Sequence, residues 1–351
     1  MLAAETKAAR TVLSTPESDS TRIWRKIVEP VEPFLDQVAR RLGEQVETFE
    51  PEIAPYARYA ITSQGKQLRP ALVALSAGAV GRLDDCHVTA AVIIEMVHLA
   101  TLVHDDIMDE AAIRRRRPTL AANWGNQISV LVGDCLFAHA LTLAAAFPTP
   151  EVCRTVSSAT KTVCSGEILQ TNRQGRFETS RTEYFRILRM KTAELFALSC
   201  DLGAGLGGAN ARDRKALRDF GLALGTAYQV YDDCLDIFGS EAMAGKSLGT
   251  DLANGKLTLP VLAALERASP ADAARIKELI GRWQPHRAAT LLELLESYDA
   301  LQESKRVIHG FLESARSALE ILRESEGRLG LLGMTNFLAK QTDALGVEPV
   351  R

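Results

Sequence analysis

From about residue 22 onward, apolar residues recur at the three- and four-residue spacing of helices that bury one face. Ala- and Leu-rich segments are separated by short punctuation: GRLDD at 81–85, FPTP at 147–150, GLGGANARD at 205–213 and ASPAD at 268–272. Val and Ile are scattered and nowhere alternate with polar residues, so strands are not expected. The pattern predicts an all-α fold of roughly ten or more helices. Residues 261–351 read as further amphipathic helices that close the bundle and carry no evident chemistry. Residues 1–20 are polar, include TPESDS, and read as a flexible tail; residues 21–351 read as one domain.

Composition narrows the partners. The chain has 351 residues, 46% of them hydrophobic, enough for a large core. Its net charge of −3 gives no general attraction to nucleic acid or an anionic membrane surface, so any anion site must come from local clusters. Cysteines 86, 135, 153, 164, 200 and 234 form no Cys-x-x-Cys pair and no zinc-like spacing with histidine. They read as reduced, mostly buried thiols of a cytoplasmic protein. The start, MLAAETKAAR, lacks a secretory core. The most apolar stretch, around 88–103, is interrupted by Glu95 and His98, so no transmembrane segment is expected.

One short motif occurs twice. HDDIMD at 104–109 and YDDCLD at 231–236 each contain Asp-Asp-x-x-Asp: Asp105, Asp106 and Asp109, then Asp232, Asp233 and Asp236. Both follow apolar helical stretches. Positions i and i+4 share a helix face, so Asp105 lies beside Asp109 and Asp232 beside Asp236. Carboxylates at that spacing repel unless cations neutralise them. Oxygen-only ligands select a hard ion, Mg2+ with Mn2+ as the alternative, and Mg2+ is usually held by a few carboxylates together with substrate phosphates. An isolated cluster of this kind is more often a solvated helix end; two, each with basic residues downstream, point to a clamp for a diphosphate. The spacing is not that of an EF-hand loop.

The basic residues complete the picture. Arg114, Arg115, Arg116 and Arg117 follow the first cluster, and arginine forks match phosphate oxygens. SQGKQLRP at 63–70 supplies Lys66 and Arg69, without the spacing of a P-loop. Lys191 and Thr192 stand in MKTA, Lys246 in AGKSLGTD and Lys256 in NGKLTLP. Each lysine alone reads as a surface residue; their placement around the two clusters gives them weight.

Taken together, these segments resemble the trans-isoprenyl (E-type polyprenyl) diphosphate synthases. The resemblance runs in the family's order through GKQLRP, EMVHLATLVHDDIMDEAAIRRRRPT, GDCLFAHA, GEILQ, MKTAELF, GTAYQVYDDCLDIFG and GKSLGTDLANGKLTLP, over most of residues 60–260. It implies one large helical bundle of the isoprenoid synthase type with a central cavity. It implies condensation of isopentenyl diphosphate onto an allylic diphosphate, usually by a homodimer, with possible peripheral membrane contact for product release. Magnesium ions would be held by Asp105, Asp109 and Asp232, supported by Asp106, Asp233 and Asp236. Arg114, Lys191, Lys246 and Lys256 would contact the allylic diphosphate. Lys66, Arg69, His98 and Arg115 would bind isopentenyl diphosphate without metal. Lys191, Thr192 and Gln229 would serve the reacting end.

Three departures stand inside the resemblance: Gln64, Gln67 and Arg116 replace the family's Gly, Arg and Gly. No motif aspartate is lost. That argues against a terpene cyclase and against a non-catalytic subunit of a heteromeric synthase. Ala100 and Thr101, one turn before Asp105, are small where short-chain members typically place an aromatic. HLATLVHDD resembles the long-chain bacterial subgroup, so the expected product is long, roughly thirty carbons or more, because small side chains leave the cavity open; a fifteen- or twenty-carbon product is the alternative. The substitution Ala100→Phe is expected to shorten the product, as read by chromatographic sizing; an unchanged length would remove Ala100 from the cavity floor.

Overall fold

Side-chain caps written into the sequence fix where the main helices begin. The computed structural model describes residues 19–62, 65–115, 117–239 and 249–346. Most of the predicted tail, Gln64, Arg116 and Lys246 lie outside the described residues. The helices are α1 Asp19–Val28, α2 Glu32–Glu44, α3 Ala54–Ile61, α4 Leu68–Val80, α5 Asp85–Met108, α6 Leu120–Ala145, α7 Glu151–Thr171 and α8 Arg181–Leu188. A π turn, Arg189–Ala193, joins α8 to α9, Glu194–Leu206. Then come α10 Ala211–Phe238, α11 Thr250–Ala253, α12 Leu259–Arg267, α13 Pro270–Gly281, α14 Ala288–Ser297, α15 Ala300–Leu319 and α16 Glu326–Asp343. Asp84 opens α5 through a capping box with His87, Ser180 opens α8 through one with Glu183, and Asn210 opens α10 by accepting from the Asp213 N–H at 2.9 Å. Each such cap satisfies an orphan N–H and contributes about 1 kcal/mol.

The helical expectation holds. The exception is a two-residue antiparallel pair, β1 Ile113–Arg114 with β2 Arg117–Pro118, too short to give a period-two signal. It forms inside the arginine run and turns Arg114, Arg115 and Arg117 in different directions.

α5 is the central helix and packs against α2, α4, α6 and α9. Its residues Val88, Ala91, Ile93, Ile94, Met96, Val97 and Ala100 are buried. A helix apolar on all sides belongs in a core. The absence of an unbroken apolar run had argued against a membrane span, yet α5 and α6 both qualify by length and composition. Packing separates them: 72% of the apolar window of α5 is buried, against 33% for α6. The uncovered part of α6 presents Trp124, Val130 and Leu131, the last 60% exposed.

α10 lies against α9, the π turn and α15. Gly221 and Gly225, one turn apart on α10, let it come close. A Cβ on Gly221 would stand 2.7 Å from Ala197 Cα and 2.7 Å from the Phe196 carbonyl oxygen; one on Gly225 would stand 2.7 Å from Ala193 Cα. One further turn along the same face comes Gln229, which that approach carries to Thr192. The C-terminal helices also do more than close the bundle. Glu303 on α15 accepts from Arg181 at 2.9 Å and Arg267 at 2.8 Å, tying α8 and α12 to it. α16 sends Phe337 under the Lys66 ammonium, 5.6 Å from the ring centre.

The cysteine expectation is only partly met: Cys200 and Cys234 are buried, Cys164 is exposed and the others are intermediate, all as free thiols.

The α9–α10 approach gives the first structural prediction. Gly221→Ala gains helix propensity of about 1 kcal/mol, but its methyl group meets backbone, which cannot rotate away. A net loss of about 1–3 kcal/mol follows from overpacking. Urea unfolding checks it; unchanged or greater stability would mean that the two helices slide apart without cost.

Candidate active site

The two aspartate clusters end α5 and α10, and a short chain of contacts joins them. Asp109 accepts from Lys256 Nζ at 2.9 Å and from Asn254 Nδ2 at 3.2 Å. Lys256 also stands 3.6 Å from Asp251, whose backbone N–H donates to Asp236 at 3.1 Å. The turn around residues 249–256 is therefore the bridge from one helix end to the other.

Within each cluster the aspartates divide by burial. Asp106 turns inward, is buried, and accepts from Arg114 Nε at 2.5 Å. Asp233 is buried and accepts from the Tyr184 hydroxyl at 2.6 Å and from Gln229 Nε2 at 2.8 Å. Burial raises its pKa, the Asp251 carboxylate adds to the rise, and the two donated bonds hold it back. Asp236, 1% exposed, accepts from the Thr250 hydroxyl at 3.1 Å and caps α11 through the Asp251 N–H. These three carboxylates serve as supports. Asp105, Asp109 and Asp232 are only partly buried.

Basic residues face the outer carboxylates. Lys191 Nζ lies 2.8 Å from Glu167 and 4.0 Å from Asp105. Burial works against its charge, but Asp105 and Glu167 outweigh it and raise its pKa. The π turn lets neighbouring residues reach separate partners: Lys191 points to Glu167, while Thr192 donates to Gln229 Oε1 at 2.8 Å. Single π turns of this kind recur at functional sites. Thr192, Gln229, Asp233 and Tyr184 thus form one hydrogen-bonded chain. Next to it is a cavity of about 80 Å³ lined by Tyr184, Lys191, Gln229, Asp233, Asp251 and Lys256. A larger surface cleft of about 710 Å³ between Phe177 and Trp283 does not touch the motif aspartates.

Of the second basic set, Arg69 and Arg115 lie close enough to His98 on α5 for their charges to act on it. Arg115 adopts a left-handed backbone, φ 50°, and lays its guanidinium over Gly65. A Cβ at residue 65 would come within 2.6 Å of Arg115 Nη2, so a larger residue there would push the guanidinium aside. Arg69 stacks over the Phe196 ring at 5.1 Å, and its buried Nε has no partner among the described residues. His98 is held well below its ordinary pKa by burial and by Arg69, Arg115 and Arg114, so it is neutral near pH 7. Lys66 stands at the edge over Phe337.

The arginine run thus resolves into different duties. Arg114 holds Asp106 and Arg115 covers Gly65. Arg117 stacks on Tyr59 at 3.6 Å and donates to the Tyr59 carbonyl at 3.0 Å, clamping the β hairpin to α3. Ala100 is fully buried, and Thr101 is half-buried with its hydroxyl on the His98 carbonyl at 2.7 Å. Glu95, Glu167, Tyr184 and Tyr59 were not singled out by motif. For Glu95 the signal was present, as an acid inside an apolar helix.

The donor set fits hard divalent ions. Among the described residues, the one trio of potential ligand atoms within 4.8 Å is Asp84, Cys86 and His87, which is the capping box of α5. The motif aspartates form no closed all-protein cage. That is how Mg2+ is usually bound, with phosphates supplying remaining ligands.

A family model described as polyprenyl synthetase matches residues 50–297. This chain belongs to the polyprenyl synthetase family. Members of the family are prenyltransferases that depend on divalent metal, and this one shares its all-helical fold. It is 32% identical to the short chain isoprenyl diphosphate synthase of Methanothermobacter thermautotrophicus, over 90% of this chain and 99% of that protein. The crystal structure of a decaprenyl diphosphate synthase from Rhodobacter capsulatus superposes with a TM-score of 0.85 at 32% identity, covering 91% of this chain and 99% of that one. A polyprenyl synthase from Caulobacter crescentus, complexed with calcium and isoprenyl diphosphate, gives 0.85 at 32%, covering 90% and 97%.

For this synthetase the supporting role of Tyr184 is directly testable. Tyr184→Phe removes one of two donors to a buried carboxylate and is expected to cost about 1–3 kcal/mol of stability. Urea denaturation checks this. A stability within error of the parent would show that Asp233 does not need the hydroxyl.

Proposed function

We propose that this synthetase extends an allylic diphosphate with successive isopentenyl diphosphate units to give a long all-trans polyprenyl diphosphate. The observation that carries the reading is the pairing of two unlike anion sites along α5. At the C-terminal end, carboxylates and lysines alternate: Asp105 with Lys191, Asp109 with Lys256. Two turns earlier, Arg69, Arg115, neutral His98 and Lys66 form a set that contains no motif carboxylate.

In the first site Asp105, Asp109 and Asp232 would hold Mg2+, with Mn2+ as substitute. Bound there, the ions would supply Lewis acidity that stabilises the charge of the departing diphosphate. Arg114, Lys191 and Lys256, with Lys246 by resemblance, bind that diphosphate and keep it oriented as its C–O bond breaks. The Thr192 hydroxyl donates to Gln229, and its oxygen lone pairs would face the developing allylic cation. In the second site Lys66, Arg69, His98 and Arg115 place the double bond of isopentenyl diphosphate against that cation. A C–C bond forms and one proton leaves to the released diphosphate. Apolar helices around the site delay attack by water.

Small residues at Ala100 and Thr101 support the long product, as does the 32% identity to a decaprenyl synthase. The similar identity to a short-chain synthase supports the rival. The uncovered face of α6, with Trp124, Val130 and Leu131, supports a homodimer in which a second copy covers it. The free thiols suit a reducing cytoplasm. Residues 21–351 act as one catalytic domain in this reading.

The test is incubation of the purified protein with Mg2+, labelled isopentenyl diphosphate and primers of increasing length, followed by sizing of the products. Long products that vanish with a chelator are expected. Products that stop at the fifteen- or twenty-carbon stage would favour the short-chain rival, and no elongation from any primer would refute the reading.

A further inference from the structure

One cavity takes no part in the chemistry above. The cleft of about 710 Å³ is lined by residues 253–255 of the turn that bridges the two aspartate clusters, and by Phe177, Trp283 and Arg287. Its volume falls in the range of small-molecule pockets, about 300–1,000 Å³. The small cavity beside the aspartates is lined by Asp251 and Lys256 of the same turn, and Gln174 is the one residue that lines both.

The cleft is tied together by backbone. The Gly175 N–H donates to the Gly255 carbonyl at 2.8 Å, and both glycines stand at positive φ, 71° and 65°. A Cβ on Gly249, also at positive φ, would meet Trp283 Cζ2 at 3.2 Å, so the turn bears closely on the indole. A ligand entering walls already fixed against each other has little ordering cost to overcome.

The lining has one consistent chemistry. Phe177 and Trp283 supply two aromatic rings, Arg282 and Arg287 supply positive charge, and no acidic residue lines the cleft. Glu278 stands 3.7 Å from Arg282 and offsets that guanidinium. Arg287 has no such counterion. Among the described residues, no hydrogen bond or carboxylate within 4.0 Å reaches the half-buried Arg287 guanidinium, the Trp283 indole N–H or the Gln174 side-chain amide. A further cation, Lys277, stands 5.9 Å from the Phe177 ring centre. A bare anion would match the donors and leave the rings uncovered. A neutral ring would stack on the aromatic side chains and leave the charge unmatched. A planar ring that carries an anionic group satisfies both.

We propose that this cleft is a binding site for a small planar aromatic molecule bearing an anionic group, separate from the diphosphate sites along α5. Arg287 and the Trp283 N–H meet the anion, and the rings of Trp283 and Phe177 meet the planar part. The proposal does not depend on the length of the product or on the assignment of the two diphosphates.

The test is isothermal titration calorimetry of the full chain with 1-naphthyl phosphate as the probe. Saturable binding with one site per chain is expected. Arg287→Ala and Trp283→Ala should each raise the Kd about fivefold or more. Inorganic phosphate, which lacks the ring, and 1-naphthalenemethanol, which lacks the charge, should each bind at least about fivefold more weakly than the probe. An excess of inorganic diphosphate with Mg2+ should leave the Kd within about twofold of its value without them, because the cleft does not touch the motif aspartates. Arg287→Ala should keep the parent's melting temperature and elongation rate, since its guanidinium has no partner to lose. Should Trp283→Ala not fold, Arg287→Ala decides alone. The proposal is overturned by absence of saturable binding, or by a Kd that Arg287→Ala leaves unchanged. It is equally overturned if phosphate or the neutral ring binds as tightly as the probe. Displacement by diphosphate would place the probe among the motif aspartates and overturn it as well.

Discussion

Carboxylate repulsion at the ends of α5 and α10 is the constraint around which the molecule is arranged. Six aspartates crowd a region largely enclosed by apolar helices, and the protein divides them. Asp106, Asp233 and Asp236 are withdrawn and satisfied by Arg114, by Tyr184 and Gln229, and by the start of α11. Asp105, Asp109 and Asp232 are only partly buried, and the ammonium groups of Lys191 and Lys256 stand by Asp105 and Asp109. The inner three are therefore as much part of the fold as of the chemistry. Without their partners, two long helices would end in unpaired buried charge.

Holding that arrangement requires α9 and α10 to sit close together. The small residues Gly221, Gly225, Ala193 and Ala197 permit the approach, and Gln229 and Thr192 meet at its end. α5 then serves both anion sites, with His98 two turns from Asp105. Because one helix carries both, the spacing of His98 and Asp105 is set by helical rise, while Arg115 and Lys256 are brought to them from loops.

How much of this was legible in the sequence depended on whether the signal was local. Each Asp-Asp-x-x-Asp motif, the helical periodicity and the arginines that follow Asp109 are signals within a few neighbouring residues, and they led to the fold and to the candidate site. The division of labour inside each cluster was not legible, because Tyr184, Asn254 and Asp251 reach their aspartates across long stretches of chain. The arginine run looked uniform, yet a two-residue hairpin turns Arg114, Arg115 and Arg117 to different partners. Glu95 was visible only as an interruption in an apolar stretch. Its neighbours, Arg69 and Arg115, come from other elements. The partial exposure of α6 was likewise hidden, since composition does not record which face is covered.

The π turn at Arg189–Ala193 has a consequence for how such a site can change. One extra residue in a helical turn shifts the register of everything that follows by about 100°. Losing it would rotate Phe196 and Ala197 away from α10 in the same event that separates Lys191 from Glu167. No intermediate bulge exists between one extra residue and none. The feature is inherited whole or lost whole, together with the packing of the helix behind it, so variation in this family member is confined to substituting side chains on a register it cannot adjust by degrees.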